Sequence, residues 1–150
     1  MMNPDLQDRL FERFPWAEAK DPNSGEGLGY LAPCWCGDGW FQLIWNMFEE
    51  IENVYKAKDI PVNVVIWEIK EKYASMQTVI CRGIPEIHAI TEKYERLSEE
   101  VCESCGDSGS IRDMFGWLTV YCDSCFKTES ERKPTFRYFD ANGNLLRDDG

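Results

Sequence analysis

Apolar side chains recur at helical spacing in three segments of the chain. Near the N-terminus, Leu6, Leu10 and Phe14 lie four residues apart, which predicts a short amphipathic helix over residues 5–14 that Pro15 ends. The strongest helix is predicted over residues 40–55, with an apolar side formed by Trp40, Phe41, Leu43, Ile44, Met47, Phe48, Ile51, Val54 and Tyr55. The third segment begins with Pro85 at a first helical position and carries the apolar residues Ile87, Ile90, Tyr94, Leu97 and Val101.

Between the last two helices, and again in the last third of the chain, the pattern is that of β-structure. β-Branched residues predict strands over residues 62–73 and 76–81, joined by a turn near residues 74–75. Short apolar pieces on both sides of Gly116 predict a hairpin, and the Asn-Gly pair at residues 142–143 predicts a terminal hairpin. Residues 20–29 are rich in glycine, proline and serine, which indicates an exposed loop.

Four cysteines form the strongest chemical motif of the sequence. Cys102 and Cys105 make one C-x2-C pair and Cys122 and Cys125 make a second, with sixteen residues between the pairs. Two ligands three residues apart in a tight turn can direct both sulfurs at one ion, and the predicted hairpin would bring the two pairs together. Such a tetrahedral thiolate set suits Zn²⁺, with iron as the alternative. Because four protein ligands leave no open position, we expect a structural zinc ion rather than a catalytic one.

Together these elements predict an α+β fold. Two main amphipathic helices pack on a small β-hairpin or sheet, and a zinc-ribbon or treble-clef-like module follows at the C-terminal end. We divide the chain into an α+β body, residues 1–101, and a zinc-binding module with a C-terminal β-hairpin, residues 102–150. With 150 residues and a hydrophobic content of 43%, the chain can build a core of ordinary size.

The stretch PCWCGDGW, just before the strongest helix, contains two further cysteines. Cys34 and Cys36 are open to three interpretations: a second metal site with Cys81 and His88, a reactive thiol whose pKa the helix N-terminus lowers, or small buried apolar side chains. We favour the third, and we expect Cys81 to be a buried, unligated side chain as well. Asp38 lies where a helix N-cap belongs, so we expect its carboxylate to accept N–H groups of the first helical turn.

The chain is strongly acidic, with 27 acidic and 16 basic side chains and a net charge of −11. Nucleic-acid binding through attraction to phosphates is therefore disfavoured. A basic partner, or a nucleic-acid-binding protein whose groove the acidic surface occupies, is favoured. No apolar run is long enough to span a bilayer and the N-terminal segment is charged, so we expect a soluble cytoplasmic protein without membrane contact. Seven cysteines suit metal binding better than disulfide bonds in that compartment.

Four short motifs resemble those of small bacteriophage and prophage proteins of unassigned function. They are CGDGW, EIKEKY, LSEEVCESCG and FGWLTVYCDSC, which occur in this order within residues 36–125. The resemblance implies an α+β body with an appended zinc-ribbon or treble-clef-like module bound by Cys102, Cys105, Cys122 and Cys125. It also implies the cytoplasm of a bacterial host cell as the place of action.

The sequence contains no recognisable catalytic set, since His88 is the sole histidine and no G-x-S-x-G motif accompanies it. We therefore expect a non-enzymatic, zinc-stabilised protein that binds and inhibits a host protein, as an anti-CRISPR-like anti-defence factor or an acidic nucleic-acid mimic. The alternative is a nucleic-acid-associated accessory or regulatory factor that uses the zinc module. Basic residues that support this alternative are Arg112, Lys127, Arg132, Lys133 and Arg137.

Overall fold

A seventeen-residue helix, Phe41–Ala57, forms the centre of the fold. The structure is a computed structural model that describes residues 1–132 and 137–148. In chain order the elements are α1 (Pro4–Arg13), β1 (Glu18–Lys20), β2 (Gly27–Leu31), β3 (Cys34–Trp35), α2 (Phe41–Ala57), β4 (Val65–Lys72), β5 (Ser75–Arg82), α3 (Glu86–Ser98), β6 (Ser110–Met114), β7 (Trp117–Tyr121), α4 (Asp123–Glu131), β8 (Arg137–Phe139) and β9 (Leu145–Asp148). This order of helices and small sheets confirms the predicted α+β class.

The body is built on a three-stranded sheet with the order β3-β4-β5. Strand β3 runs parallel to β4, whereas β4 and β5 form an antiparallel hairpin. Helices α2 and α3 pack against each other, α3 also packs on β5, and the β1–β2 hairpin lies beside β4. The two main amphipathic helices therefore pack on a small sheet, as the sequence predicts.

One hydrophobic core joins the helices to the sheet. The apolar side of α2 is buried as predicted through Ile44, Phe48 and Ile51, all with no exposed surface. Phe14, which follows α1, meets the rings of Trp45 and Phe48 edge to face at centroid distances of 5.1 and 5.3 Å. Such ring pairs contribute free energy beyond that of the area they bury, so aromatic contacts hold α1 against α2.

The predicted elements differ from the observed ones at several ends. The first long strand begins at Val65 rather than at residue 62, and its turn lies at Tyr73 and Ala74, one residue earlier than expected. The prediction of a loop over residues 20–29 is wrong at both ends, because β1 and β2 pair as a hairpin and only residues 21–26 form the turn.

Helix α3 corrects one predicted core position. Leu97 is 40% exposed, and Ser98 takes the buried place on this side of the helix. The Ser98 hydroxyl accepts a hydrogen bond from the Met76 N–H at 2.8 Å and donates one to the Glu95 carbonyl. The serine is buried because it satisfies a backbone group of β5 that leucine would leave without a partner.

Along the described ranges, 1–132 and 137–148, no helix combines the length and the apolar character needed to cross a bilayer.

Candidate metal centre

The four predicted ligands, Cys102, Cys105, Cys122 and Cys125, come together at one point. Their Sγ atoms all lie within 4.8 Å of one another, and those of Cys105 and Cys122 are 3.7 Å apart. A tetrahedral ion with metal–sulfur bonds of about 2.3 Å separates its sulfurs by about 3.8 Å. A disulfide would instead bring two sulfurs to about 2.05 Å. The four cysteines are therefore positioned to hold a metal ion, with spacings compatible with a tetrahedral thiolate centre once the sulfurs draw together around the ion.

A tight turn presents the first ligand pair. The Cys102 N–H donates to the Asp107 carbonyl at 2.7 Å, and the Gly106 N–H donates to the Cys102 carbonyl at 2.9 Å. Gly106 adopts a φ of 86°, a conformation that glycine reaches without strain. The turn thereby points the sulfurs of Cys102 and Cys105 to the same side.

A helix presents the second ligand pair. Cys122 is the N-cap of α4, and its Sγ atom accepts the Cys125 N–H at 3.3 Å. The hairpin of β6 and β7 connects the two pairs, with Ser110 opposite Tyr121 at the end nearest the cysteines. This order of turn, hairpin and helix matches the treble-clef-like alternative rather than the ribbon. Sequence reasoning missed α4, whose residues carry no apolar stripe.

The electrostatics of the cluster favour a cation. Burial opposes ionisation of Cys102, but the backbone N–H groups of residues 122, 105 and 104 outweigh it and lower its pKa to about 7. The N–H of Asp107 would lower the pKa of Cys105, yet burial and the neighbouring thiols raise it to about 12. Burial and the Cys122 sulfur likewise raise the pKa of Cys125. The Cys102 thiolate thus forms readily, whereas Cys105 and Cys125 need a positive ion to lose their protons.

The first ligand pair is hydrogen-bonded to the start of α2. The Gly39 N–H donates to the Glu103 carbonyl at 2.7 Å, and the Gly37 N–H donates to the Glu103 carboxylate at 2.9 Å. The Trp40 indole N–H donates to the Val101 carbonyl at 2.8 Å. Glu103 is the residue that sequence reasoning missed, because its partners lie more than sixty residues away and leave no local signal.

Two glycines permit this contact. A Cβ atom on Gly39 would lie 2.1 Å from the Cys102 carbonyl oxygen, and one on Gly37 would lie 2.4 Å from the Glu103 carbonyl oxygen. Real Cβ atoms do not come that close to backbone atoms, so neither position accepts a side chain without movement. The backbone of residues 37–39 therefore packs directly against the turn that carries Cys102 and Cys105.

The prediction that Asp38 caps α2 is wrong. Its carboxylate accepts the Asn3 N–H at 2.7 Å and so ties the start of α1 to this segment. Trp40 is the N-cap of α2 and has no side-chain hydrogen bond to the helix, while a 3₁₀ turn, Asp38–Trp40, precedes it. The Trp40 and Phe41 N–H groups, which a capping Asp38 carboxylate would accept, donate instead to the backbone carbonyls of Gly37 and Asp38.

The other three cysteines do not join the cluster. Cys34 and Cys36 are buried in the core, which confirms that part of the favoured interpretation. The interpretation is wrong for Cys81, because this side chain is exposed on β5, and His88 is exposed as well. Burial raises the pKa of Cys34 to about 12 and raises that of Cys36 further, so neither is a reactive thiolate at neutral pH. Among the described residues, one group of three or more histidine, cysteine, aspartate or glutamate side chains is placed to share a metal ion, and it is the C-terminal cluster of four cysteines.

Some of the basic side chains in the last third of the chain are paired with acidic groups and are therefore less available to bind nucleic acid. Arg112 donates to Asp123 at 2.6 Å and lies over the Phe126 ring at 5.0 Å. Arg132 lies 3.6 Å from the Glu129 carboxylate. Lys127 is exposed, and the side chains of Lys133 and Arg137 lie outside the described residues.

Comparison of the chain with protein-family models, curated proteins and solved structures found no match. The resemblance to bacteriophage proteins therefore stays a prediction. The chemical role of the centre is therefore inferred from the geometry of its four cysteines.

Proposed function

We propose that the protein is a non-enzymatic interaction protein in which a structural zinc ion holds the C-terminal module on the body. Thiolate sulfur and tetrahedral spacing suit Zn²⁺, and the four cysteines fill every position of such an ion. A closed site leaves no place for substrate or activated water, which supports a structural role. Iron is the competing ion for four thiolates, and metal analysis separates the two.

The exposed apolar residues of the module carry the interaction part of the proposal. Ile111, Phe115, Trp117 and Leu118, all on the β6–β7 hairpin, are between 42% and 67% exposed. Single exposed apolar residues are ordinary. Here four lie on one two-stranded hairpin, and because Trp117 and Leu118 are consecutive in β7 they cover both of its faces, which supports a role in binding another molecule. Aromatic residues are also enriched where proteins bind one another.

The acidity and the phage-like motifs support a more specific version. With a net charge of −11, the protein suits a host protein that carries positive charge, such as one that binds nucleic acid in the bacterial cytoplasm. It would inhibit that protein by covering its nucleic-acid-binding surface, as an anti-CRISPR-like factor does. The pairing of Arg112 with Asp123 weakens the case for direct nucleic-acid binding by the module.

Metal analysis and partner capture test the two parts. Elemental analysis of protein purified without chelator is expected to give one zinc ion per chain, and absence of metal would contradict the structural site. Immobilised protein is then exposed to nuclease-treated bacterial lysate, and the captured protein is purified and assayed for inhibition. Capture that depends on nucleic acid, together with submicromolar binding of DNA or RNA at about 0.15 M salt, would favour the accessory-factor alternative instead.

A further inference from the structure

The tips of two hairpins lie side by side and enclose a groove. One is the tip between β4 and β5, and the other is the tip between β6 and β7. The groove has a volume of about 580 Å³ and is lined by Glu71, Lys72, Tyr73, Gly116, Trp117 and Leu118. Tyr73 is 77% exposed and Trp117 is 67% exposed, so two large aromatic side chains face solvent at one place.

Both tips hold an aromatic residue in a backbone conformation that aromatic residues rarely adopt. Tyr73 has a φ of 51° and Ala74 a φ of 65°, and Phe115 has a φ of 55° beside Gly116 at 88°. Positive φ at both central residues is typical of a type I′ turn, where asparagine, aspartate or glycine is the usual first residue. Phe115 is 63% exposed, so neither aromatic is there to fill the core. Strain that the core does not require points to a function of the strained residue.

The charges around the groove indicate what it binds. The Glu71 carboxylate accepts the Ala74 N–H at 2.8 Å, and the Asp113 carboxylate accepts the Gly116 N–H at 2.7 Å. These bonds fix one acidic group beside each tip. Lys72 is the basic residue of the lining, and its ammonium group lies 5.9 Å from the centre of the Tyr73 ring. The net charge of −11 opposes a second copy of the chain as the occupant.

We propose that this groove binds an extended segment of a partner protein in which an apolar side chain is flanked by lysine or arginine. The apolar side chain lies between Tyr73 and Trp117, and the basic side chains meet Glu71 and Asp113. The inference rests on the proposed function as an interaction protein and names the surface and the chemistry of the partner.

Selection from a display library tests the groove directly. Random peptides of about 12 residues, long enough to cross it when extended, are selected on metal-loaded protein and then measured by fluorescence anisotropy. The test variant is Tyr73→Asn with Trp117→Thr, which changes both aromatic residues of the lining, because asparagine suits the turn and threonine suits an exposed strand position. The control variant is Tyr30→Asn, which changes an exposed aromatic residue outside the groove.

Enriched peptides are expected to combine apolar residues with lysine or arginine. Their dissociation constants should rise at least about tenfold for the double variant and stay within about twofold for the control. Equal binding to wild type and double variant, enrichment of acidic peptides, or no enrichment at all would overturn the proposal. So would a dimer or an oligonucleotide complex that the double variant abolishes.

The peptide selection tests the groove and the lysate experiment tests the host-inhibitor function, and the two can fail independently. If the double variant captures the same host protein as wild type, the groove is not the binding surface, while the interaction function stands. If neither captures a protein but the selected peptides bind as expected, the groove stands and the host-inhibitor function falls.

Discussion

Gly39 is the position at which the structure makes its sharpest prediction. Replacing it with alanine places a methyl group 2.1 Å from the Cys102 carbonyl oxygen and 2.6 Å from the carbonyl carbon and oxygen of Glu103. These are backbone atoms of the metal-binding turn and cannot rotate away as a side chain can. The turn must therefore move by about 1 Å or more to restore ordinary contact.

That movement removes the hydrogen bond from the Gly39 N–H to the Glu103 carbonyl. Separating a buried donor from its acceptor costs about 1–3 kcal/mol, and forcing an extra carbon into a packed region costs about as much again. We therefore expect Gly39→Ala to lower the free energy of unfolding by about 2–6 kcal/mol. In a domain of this size the midpoint of thermal unfolding falls by roughly 4–24 °C.

Thermal unfolding followed by circular dichroism at a fixed zinc concentration measures the effect. Gly27→Ala is the matched control, since neither glycine has a positive φ and the three atoms nearest to the new methyl group there all belong to the movable carboxylate of Glu18. The control should change stability by less than about 1 kcal/mol. If Gly39→Ala unfolds within about 1 °C of that control, the metal-binding turn is not seated on the start of α2.

The remaining predictions concern the metal, a hairpin tip and pH. Cys122→Ser should lose the zinc ion and loosen the module while the helical signal of the body survives, whereas Cys81→Ser should keep one ion per chain in elemental analysis. Phe115→Asn should raise the free energy of unfolding in urea by about 1 kcal/mol, because it relieves the positive φ. Burial opposes ionisation of Glu50, but hydrogen bonds from Lys93 and the Tyr94 hydroxyl outweigh it and lower its pKa. The resulting stabilisation is present above the ordinary carboxyl pKa and is lost as pH falls through the lowered one, so Glu50→Gln should flatten the acid limb of a plot of urea midpoint against pH.

Local spacing was enough to predict the metal centre. Two ligands three residues apart must share a turn, whatever the rest of the chain does, and a hairpin between the pairs leaves few other ways to close the site. The apolar stripe of α2 was equally informative, because seventeen residues give the periodicity many turns over which to repeat.

Contacts between distant segments could not be predicted in the same way. Asp38 has the chemistry of an N-cap, yet its carboxylate accepts the N–H of Asn3, thirty-five residues away along the chain. Leu97 and Ser98 both fit the spacing of the α3 stripe, and the Met76 N–H decides between them. In each case a partner far along the chain outweighs the local preference.

A metal ion at the four cysteines would explain why apolar residues of the module lie at the surface, where a partner protein could contact them. Among residues 102–132, the buried ones are Cys102, Thr119 and Val120, and α4 has no buried side chain. So small a core is not enough for a module of this length, and a metal ion bound by the four cysteines would supply the missing free energy, as in other small metal-dependent folds. Phe115, Trp117 and their neighbours on the hairpin would then not be needed in a core. An ion in place of a core would let the module carry aromatic residues at its surface, which is what the proposed contact with a partner requires.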